Sequence, residues 1–256
     1  MNSDDRRRLA IKVFLLSLQF LTIITIVPGL RATRRELASS LAFFPLTGLI
    51  LGGLLSGFDW AARGVWPPRI CGVLDVVWLA LLTRGLHLDG VADTFDAIGS
   101  GADRQRALEI MRDSSNGALG ILSMVSLLLV KVVAMSELSL HAAWHWLMLI
   151  PCLSRLGINV LGAVSSYART EGGLGQAFTG RESLRYMPVA LVTAVSAAWI
   201  LRDIPGLIML GGVILWCLPV AAWCRYRFGG ITGDVLGAHV ELAETAMFLV
   251  AAALVQ

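Results

Sequence analysis

The sequence predicts an all-α fold: a polytopic bundle of about seven to eight membrane segments forming one integral membrane domain over residues 1–256. Three observations carry this. Of 256 residues, 56% are hydrophobic and only 15% charged, where a soluble domain carries about 25% charged residues. Mean hydropathy is +0.73. Apolar runs also recur near the length of about 20 residues that a helix needs to cross about 30 Å of hydrocarbon. Disorder and an ordinary water-soluble domain are excluded, because neither could accommodate so much apolar surface. The net charge of +3 is too small to call for a nucleic-acid partner and fits arginine-flanked spans in a lipid bilayer.

The segments fall at 9–27, 37–58, 70–86, 119–138, 143–163, 187–201, 206–224 and 243–256. The first follows Arg6-Arg7-Arg8, and Pro28 and Arg31 rather than an Ala-x-Ala site come after it. It is therefore expected to be retained. Thr22, Thr25 and Pro28 mark it as a segment that lies in the interface or re-enters. The last segment has fourteen residues, a helix of about 21 Å, short for a full span. Cys71, Cys152, Cys217 and Cys224 sit in or beside apolar runs without a CxxC pair and read as small buried hydrophobes. His141 and His145, lacking a third ligand, read as structural.

Polar and glycine-rich connections at 87–118, 164–186 and 225–242 share one side with 28–36 if every segment spans. These four carry eleven Lys and Arg, against six on the opposite side, so the positive-inside rule places them in the cytoplasm. That parity sends Arg6, Arg7 and Arg8 outward. An interfacial 9–27 would return the N-terminus inside.

The stretch from His87 to Asp96 carries the most chemistry. Asp89, Asp93 and Asp96 stand at i, i+4 and i+7, which on a helix is one face. Unscreened carboxylates so stacked repel unless a cation sits among them. Glu109 and Asp113 repeat the i, i+4 spacing. Oxygen donors without nearby cysteine point to a hard cation, Mg²⁺ before Mn²⁺. The alternative is a solvated loop whose acids pair with Arg104, Arg106 and Arg112. His87 reads as a ligand, a base or a hydrogen-bonded structural residue. In 164–186, Gly172, Gly173 and Gly175 allow backbone amides to approach an anion, beside Arg169; a flexible turn is the alternative. Asp234, among the glycines of 229–237, adds a carboxylate on the same side. Lys131 and Arg155 fall inside apolar spans, where a charge is costly and usually faces a polar cavity. A loop carboxylate or a bound anion would be their partner, or Glu137 for Lys131.

A metal site, anion loops and intramembrane cations on one face of a bundle point to chemistry on a diphosphate or phosphodiester. At the motif level, the chain resembles the adenosylcobinamide-GDP ribazoletransferase family. The matching runs are His87-Leu-Asp-Gly-Val-Ala-Asp-Thr, Leu108-Glu-Ile-Met-Arg-Asp-Ser, Ser154-Arg155, Tyr167-Ala-Arg-Thr-Glu-Gly-Gly-Leu-Gly and Gly229-Gly-Ile-Thr-Gly-Asp-Val-Leu-Gly-Ala. Phe43-Phe-Pro-Leu-Thr-Gly, Gly117, Gly120 and Lys131 near Ser136-Glu137-Leu138 also match. The family often has an arginine soon after the Met-Arg-Asp-Ser run, and here Ser115 and Asn116 follow.

The resemblance implies a Mg²⁺-dependent transferase integral to the bacterial inner membrane, its site facing the cytoplasm. It joins adenosylcobinamide-GDP to α-ribazole or its 5′-phosphate, releases GMP, and forms adenosylcobalamin or its 5′-phosphate. On this reading Asp89, Asp93, Asp96, Asp113 and His87 are the catalytic candidates. Asp89, Asp93, Asp96, Glu109, Asp113 and Asp234 are candidate metal ligands. Arg112, Lys131, Arg155, Arg169, Gly172, Gly173 and Gly175 are candidate substrate contacts. A homo-oligomer is compatible. Rival readings are a Mg²⁺-dependent phosphatidyl- or prenyltransferase and a transporter. Phosphatidyl transfer would be favoured by an Asp-Gly-x-x-Ala-Arg run, but here Asp89-Gly-Val-Ala is followed by Asp93, not Arg, and no internal repeat supports transport.

Overall fold

The computed structural model describes residues 3–113 and 115–255. Ser114, the end of the Met-Arg-Asp-Ser run, and the side chain of Arg6 lie outside the described residues. The chain is helical: α1 (Ser3–Leu21), α2 (Arg34–Ser39), α3 (Phe44–Ala62), α4 (Pro68–Thr83), α5 (Leu86–Gly99), α6 (Arg104–Ile110), α7 (Ala118–Leu140), α8 (Trp144–Ala163), α9 (Arg181–Phe228) and α10 (Gly233–Leu254). Short 3₁₀ turns at Ser40–Phe43 and Leu174–Phe178 join α2 to α3 and shape the loop before α9.

Among the described residues five helices are long and apolar enough to cross a bilayer, or six if bent α4–α5 counts as one. The chain is thus an integral membrane protein, with slightly fewer such helices than the seven to eight segments expected. The physical reasons are local. Helix α1 starts with Asp4 and Asp5 and carries Lys12, which pairs with Glu36 at 2.6 Å, so it lacks an uninterrupted apolar stretch. Segments 187–201 and 206–224 belong to one 48-residue helical stretch broken at Asp203 (φ 50°, ψ −133°). Gly206 lies against the carbonyl of Ala198. A straight helix separates residues eight apart by about 12 Å, so the chain reverses there, and both expected segments lie within this one stretch. The last segment begins ten residues earlier than hydropathy indicates, at Gly233, because Asp234, His239 and Glu241 interrupt the apolar pattern but not the helix, in which His239 and Glu241 are buried.

Helix α8 is the centre. Of its apolar window, 89% is buried, against α3, α9 and α10. Outward faces of α7 and α9 expose Leu129, Val133, Val192 and Ile208, as lipid-facing helices do. Cys71, Cys152, Cys217 and Cys224 are free and buried. Arg84 and Gly85 both adopt left-handed backbone (φ 54° and 65°), which ends α4 and turns the chain by 92° into α5. Helix α5 then wedges between α7 and α10.

Candidate active site

The three-aspartate face exists as a helix, since Asp89, Asp93 and Asp96 all lie on α5. Gly90 is what lets that helix approach α10: a Cβ there would stand 2.5 Å from the Asp234 carbonyl oxygen. The close approach brings Asp89, Asp96 and Asp234 into electrostatic range of Asp93, with Arg169 also in range. Asp89 is exposed, while Asp93, Asp96 and Asp234 are half-buried.

The individual partners separate these acids into two kinds. Asp96 accepts from the backbone amides of Gly117 (2.6 Å) and Gly120 (2.7 Å), the otherwise unpaired donors at the start of α7. It anchors α5 to α7 through a negative charge at a helix N-terminus, where the dipole favours one. Asp234, in the first turn of α10, accepts from Arg169 (2.7 Å) and from Thr232 (3.1 Å). Asp89 and Asp93 have no hydrogen bond or ion pair to a side chain among the described residues. These two carboxylates, with Asp234 beside them, are the ones open to a ligand.

The second acid pair does not form. Helix α6 ends at Ile110, so Glu109 and Asp113 do not share a helical face. Glu109 pairs with Arg106 at 2.9 Å. Asp113 is exposed and accepts from the Ser115 backbone amide (3.0 Å), which holds its carboxyl below the usual range. For the same reason Arg112 and Asp113 are not disposed around one helix. Arg112 reaches Glu171 at 2.6 Å, in an exposed pair. That contact ties the α6 end to the loop containing Gly172, Gly173 and Gly175.

In that loop Gly175 has a packing reason. A Cβ there would stand 2.8 Å from the backbone nitrogen of Gly233, so only glycine lets the loop lie on the N-terminus of α10. The backbone of Ala168 donates to Ile231 (2.9 Å), and Ile231 donates to Ser166 (2.9 Å). Arg169, one residue further on, is thereby aimed at Asp234.

Below this mouth lies a buried ionic layer. Lys131 contacts Glu241 at 2.5 Å and Glu244 at 2.9 Å, and its partner is therefore not Glu137. Glu244 also bonds Arg155 and Ser154 at 3.0 Å. His87 is buried within electrostatic range of Arg155, Glu244 and Lys131. Its Nδ1 has no partner among the described residues, nor do Nε and Nη2 of Arg155.

Among the described residues, no group of three or more His, Cys, Asp or Glu side chains is arranged to enclose a metal. The open donors of Asp89 and Asp93, and those of Asp234 beside them, are all oxygens. Such a set suits a hard cation held by one or two carboxylates with water and substrate oxygens completing the shell. It does not suit a caged thiolate or imidazole metal.

A sequence profile of the family described as cobalamin-5-phosphate synthase matches residues 13–252. The chain belongs to this family. Among its relatives, the adenosylcobinamide-GDP ribazoletransferase of Geotalea daltonii is 36% identical over 91% of this chain and 94% of its own length. That of Chlorobaculum parvum is 38% identical over 92% and 93%, and that of Syntrophobacter fumaroxidans 39% over 86% and 89%. No solved structure matches the chain. As a member of the cobalamin-5-phosphate synthase family, the protein is a membrane transferase of cobalamin synthesis.

For this family member the sequence reading overlooked Glu241 and Glu244. A signal was available: two acids at i, i+3 in the final apolar region, where uncompensated charge is costly, and two unpaired cations in other spans. Only the packing of α10 against α7 and α8 showed which charges pair.

Proposed function

We propose that the protein transfers the adenosylcobinamide-phosphate group of adenosylcobinamide-GDP to α-ribazole or α-ribazole 5′-phosphate on the cytoplasmic side of the inner membrane. A ribose hydroxyl oxygen of the acceptor forms a bond to the cobinamide-side phosphorus. The bond from that phosphorus to the bridging oxygen breaks, and GMP leaves with the electron pair. The acceptor's hydroxyl proton passes to a base. The observation that carries this reading is the α5–α10 contact, which sets the open carboxylates of Asp89 and Asp93 beside the Asp234–Arg169 pair.

Each residue then has a separable task. Asp89 and Asp234 would hold Mg²⁺ with water and substrate oxygens completing its shell, and the ion when bound would offset charge on the diphosphate oxygens. Arg169, turning from Asp234 towards an incoming phosphate, and Arg112, released from its exposed pair with Glu171, supply guanidinium donors suited to phosphate oxygens. Asp93, half-buried among acids, would take the hydroxyl proton. Lys131 and Arg155 form the floor with Glu241 and Glu244 and keep α7, α8 and α10 in register under the site. The membrane setting suits a bulky corrinoid that approaches from the interface.

The test is release of GMP by the purified protein in lipid nanodiscs. It should require adenosylcobinamide-GDP, α-ribazole or its phosphate, and Mg²⁺ together. GMP release without an acceptor, or coupling that proceeds in excess chelator, would refute the assignment.

A further inference from the structure

We infer that the protein holds the guanosine half of its donor in a cavity separate from the carboxylate cluster, lying between α2, the loop 165–180 and the start of α9. The inference rests on the functional reading above, and names the subsite that fixes the leaving nucleotide. The cavity has a volume of about 640 Å³ and is lined by Arg34, Arg35, Ser165, Tyr167, Gln176 and Glu182, among others. That size admits one nucleotide and leaves the corrinoid outside.

Its position relative to the acids is set by one loop. Tyr167, on the cavity wall, packs its hydroxyl against Gly173 and its ring against Gly175. Gly175 in turn abuts Gly233, the residue before Asp234. The cavity and the carboxylates thus lie on two sides of the Tyr167–Gly175 segment, so a diphosphate could have its nucleotide end on one side and its reacting phosphorus on the other.

The lining chemistry selects the ligand. Arg34, Arg35 and Glu182 form no ion pair among the described residues. Glu36, the acid next to the two arginines, is committed to Lys12 at 2.6 Å and to the Thr33 amide at 2.9 Å. Two uncommitted guanidinium groups are donors matched to phosphate oxygens. Ser165 adds a buried hydroxyl without a partner.

Glu182 decides between the two nucleoside-bearing substrates. A carboxylate only accepts hydrogen bonds. Guanine offers two parallel donors, N1–H and the 2-amino group, which match its two oxygens. The N-glycosylated benzimidazole base of α-ribazole has no N–H to donate. Gln176 has an amide that can serve the guanine carbonyl. The arginines and the acid together therefore fit a guanine nucleotide, whereas the acceptor's base offers Glu182 no donor.

Binding of GMP and of IMP, which lacks the 2-amino group, to the full-length protein in nanodiscs tests this, alongside KM for both substrates. The wild type should bind GMP roughly tenfold more tightly than IMP. Glu182→Ala should bring that ratio close to one, and Arg34→Gln with Arg35→Gln should weaken both nucleotides by a similar factor. Unchanged melting temperature and acceptor KM show that the variants are folded. Equal binding of GMP and IMP by the wild type, a ratio unaltered in Glu182→Ala, or arginine variants that raise KM only for the ribazole substrate would overturn the assignment. A wild type that releases no GMP in the coupled assay would instead refute the functional reading itself.

Discussion

Glu244→Gln tests the buried ionic layer most directly. In the native protein Lys131 and Arg155 are balanced by Glu241 and Glu244, two cations against two carboxylates, all buried. Glutamine preserves the volume and removes one negative charge. Lys131 keeps Glu241 at 2.5 Å, while Arg155 loses its only carboxylate among the described residues. A buried guanidinium without a counter-charge costs roughly 3–5 kcal/mol. For a chain of this size each kcal/mol shifts the melting temperature by roughly 2–4 °C, so a loss of about 6–20 °C is expected. The measurement is thermal unfolding of the purified protein in one detergent, followed by the same measurement on Glu244→Gln/Arg155→Met. Removing the stranded cation as well should recover more than half of the loss. The surviving folded fraction of both variants should keep KM for both substrates, because neither group is exposed at the mouth. A single variant that melts within about 2 °C of the parent, or a double variant less stable than the single, would refute the charge-balance argument.

Other outcomes follow from the same geometry. Asp93→Asn should lower turnover by roughly a thousandfold or more at every Mg²⁺ concentration with little change in melting temperature, and full activity would remove Asp93 from the mechanism. Asp96→Ala deletes the acceptor for the Gly117 and Gly120 amides and should cost about 1–2 kcal/mol of stability; chemical or thermal unfolding checks this. Gly90→Val places side-chain atoms on the Asp234 carbonyl and should abolish activity even where protein is recovered, since α5 and α10 must separate; wild-type turnover would show that their contact is dispensable. A cysteine at Ser100 or Gly173, in a background with the four native cysteines replaced, should react with an impermeant thiol reagent from the cytoplasmic side only.

Composition alone determined that this chain folds in lipid, because 56% hydrophobic residues leave a helical bundle as the arrangement that satisfies the backbone. Spacing located the acidic face of α5, since i, i+4, i+7 is a local property of one helix and needs no neighbour. Local pattern was less informative wherever a partner from elsewhere in the chain decides the outcome. Asp89, Asp93 and Asp96 look alike in sequence; only the start of α7 distinguishes Asp96, by presenting two amides to it. Glu109 and Asp113 share the same spacing but not a helix, because α6 ends between them. Lys131 faces Glu241 and Glu244 rather than Glu137 because α10 crosses behind α7. Hydropathy likewise began the last segment too late, since it scores buried Glu241 as water-exposed. Short-range periodicity determined the helices and the acid-bearing face. The pairing of charges separated by about a hundred residues, and with it the division between open carboxylates and structural ones, was decided by tertiary packing, because in a low-dielectric interior each charge must find the nearest opposite charge in space rather than in sequence.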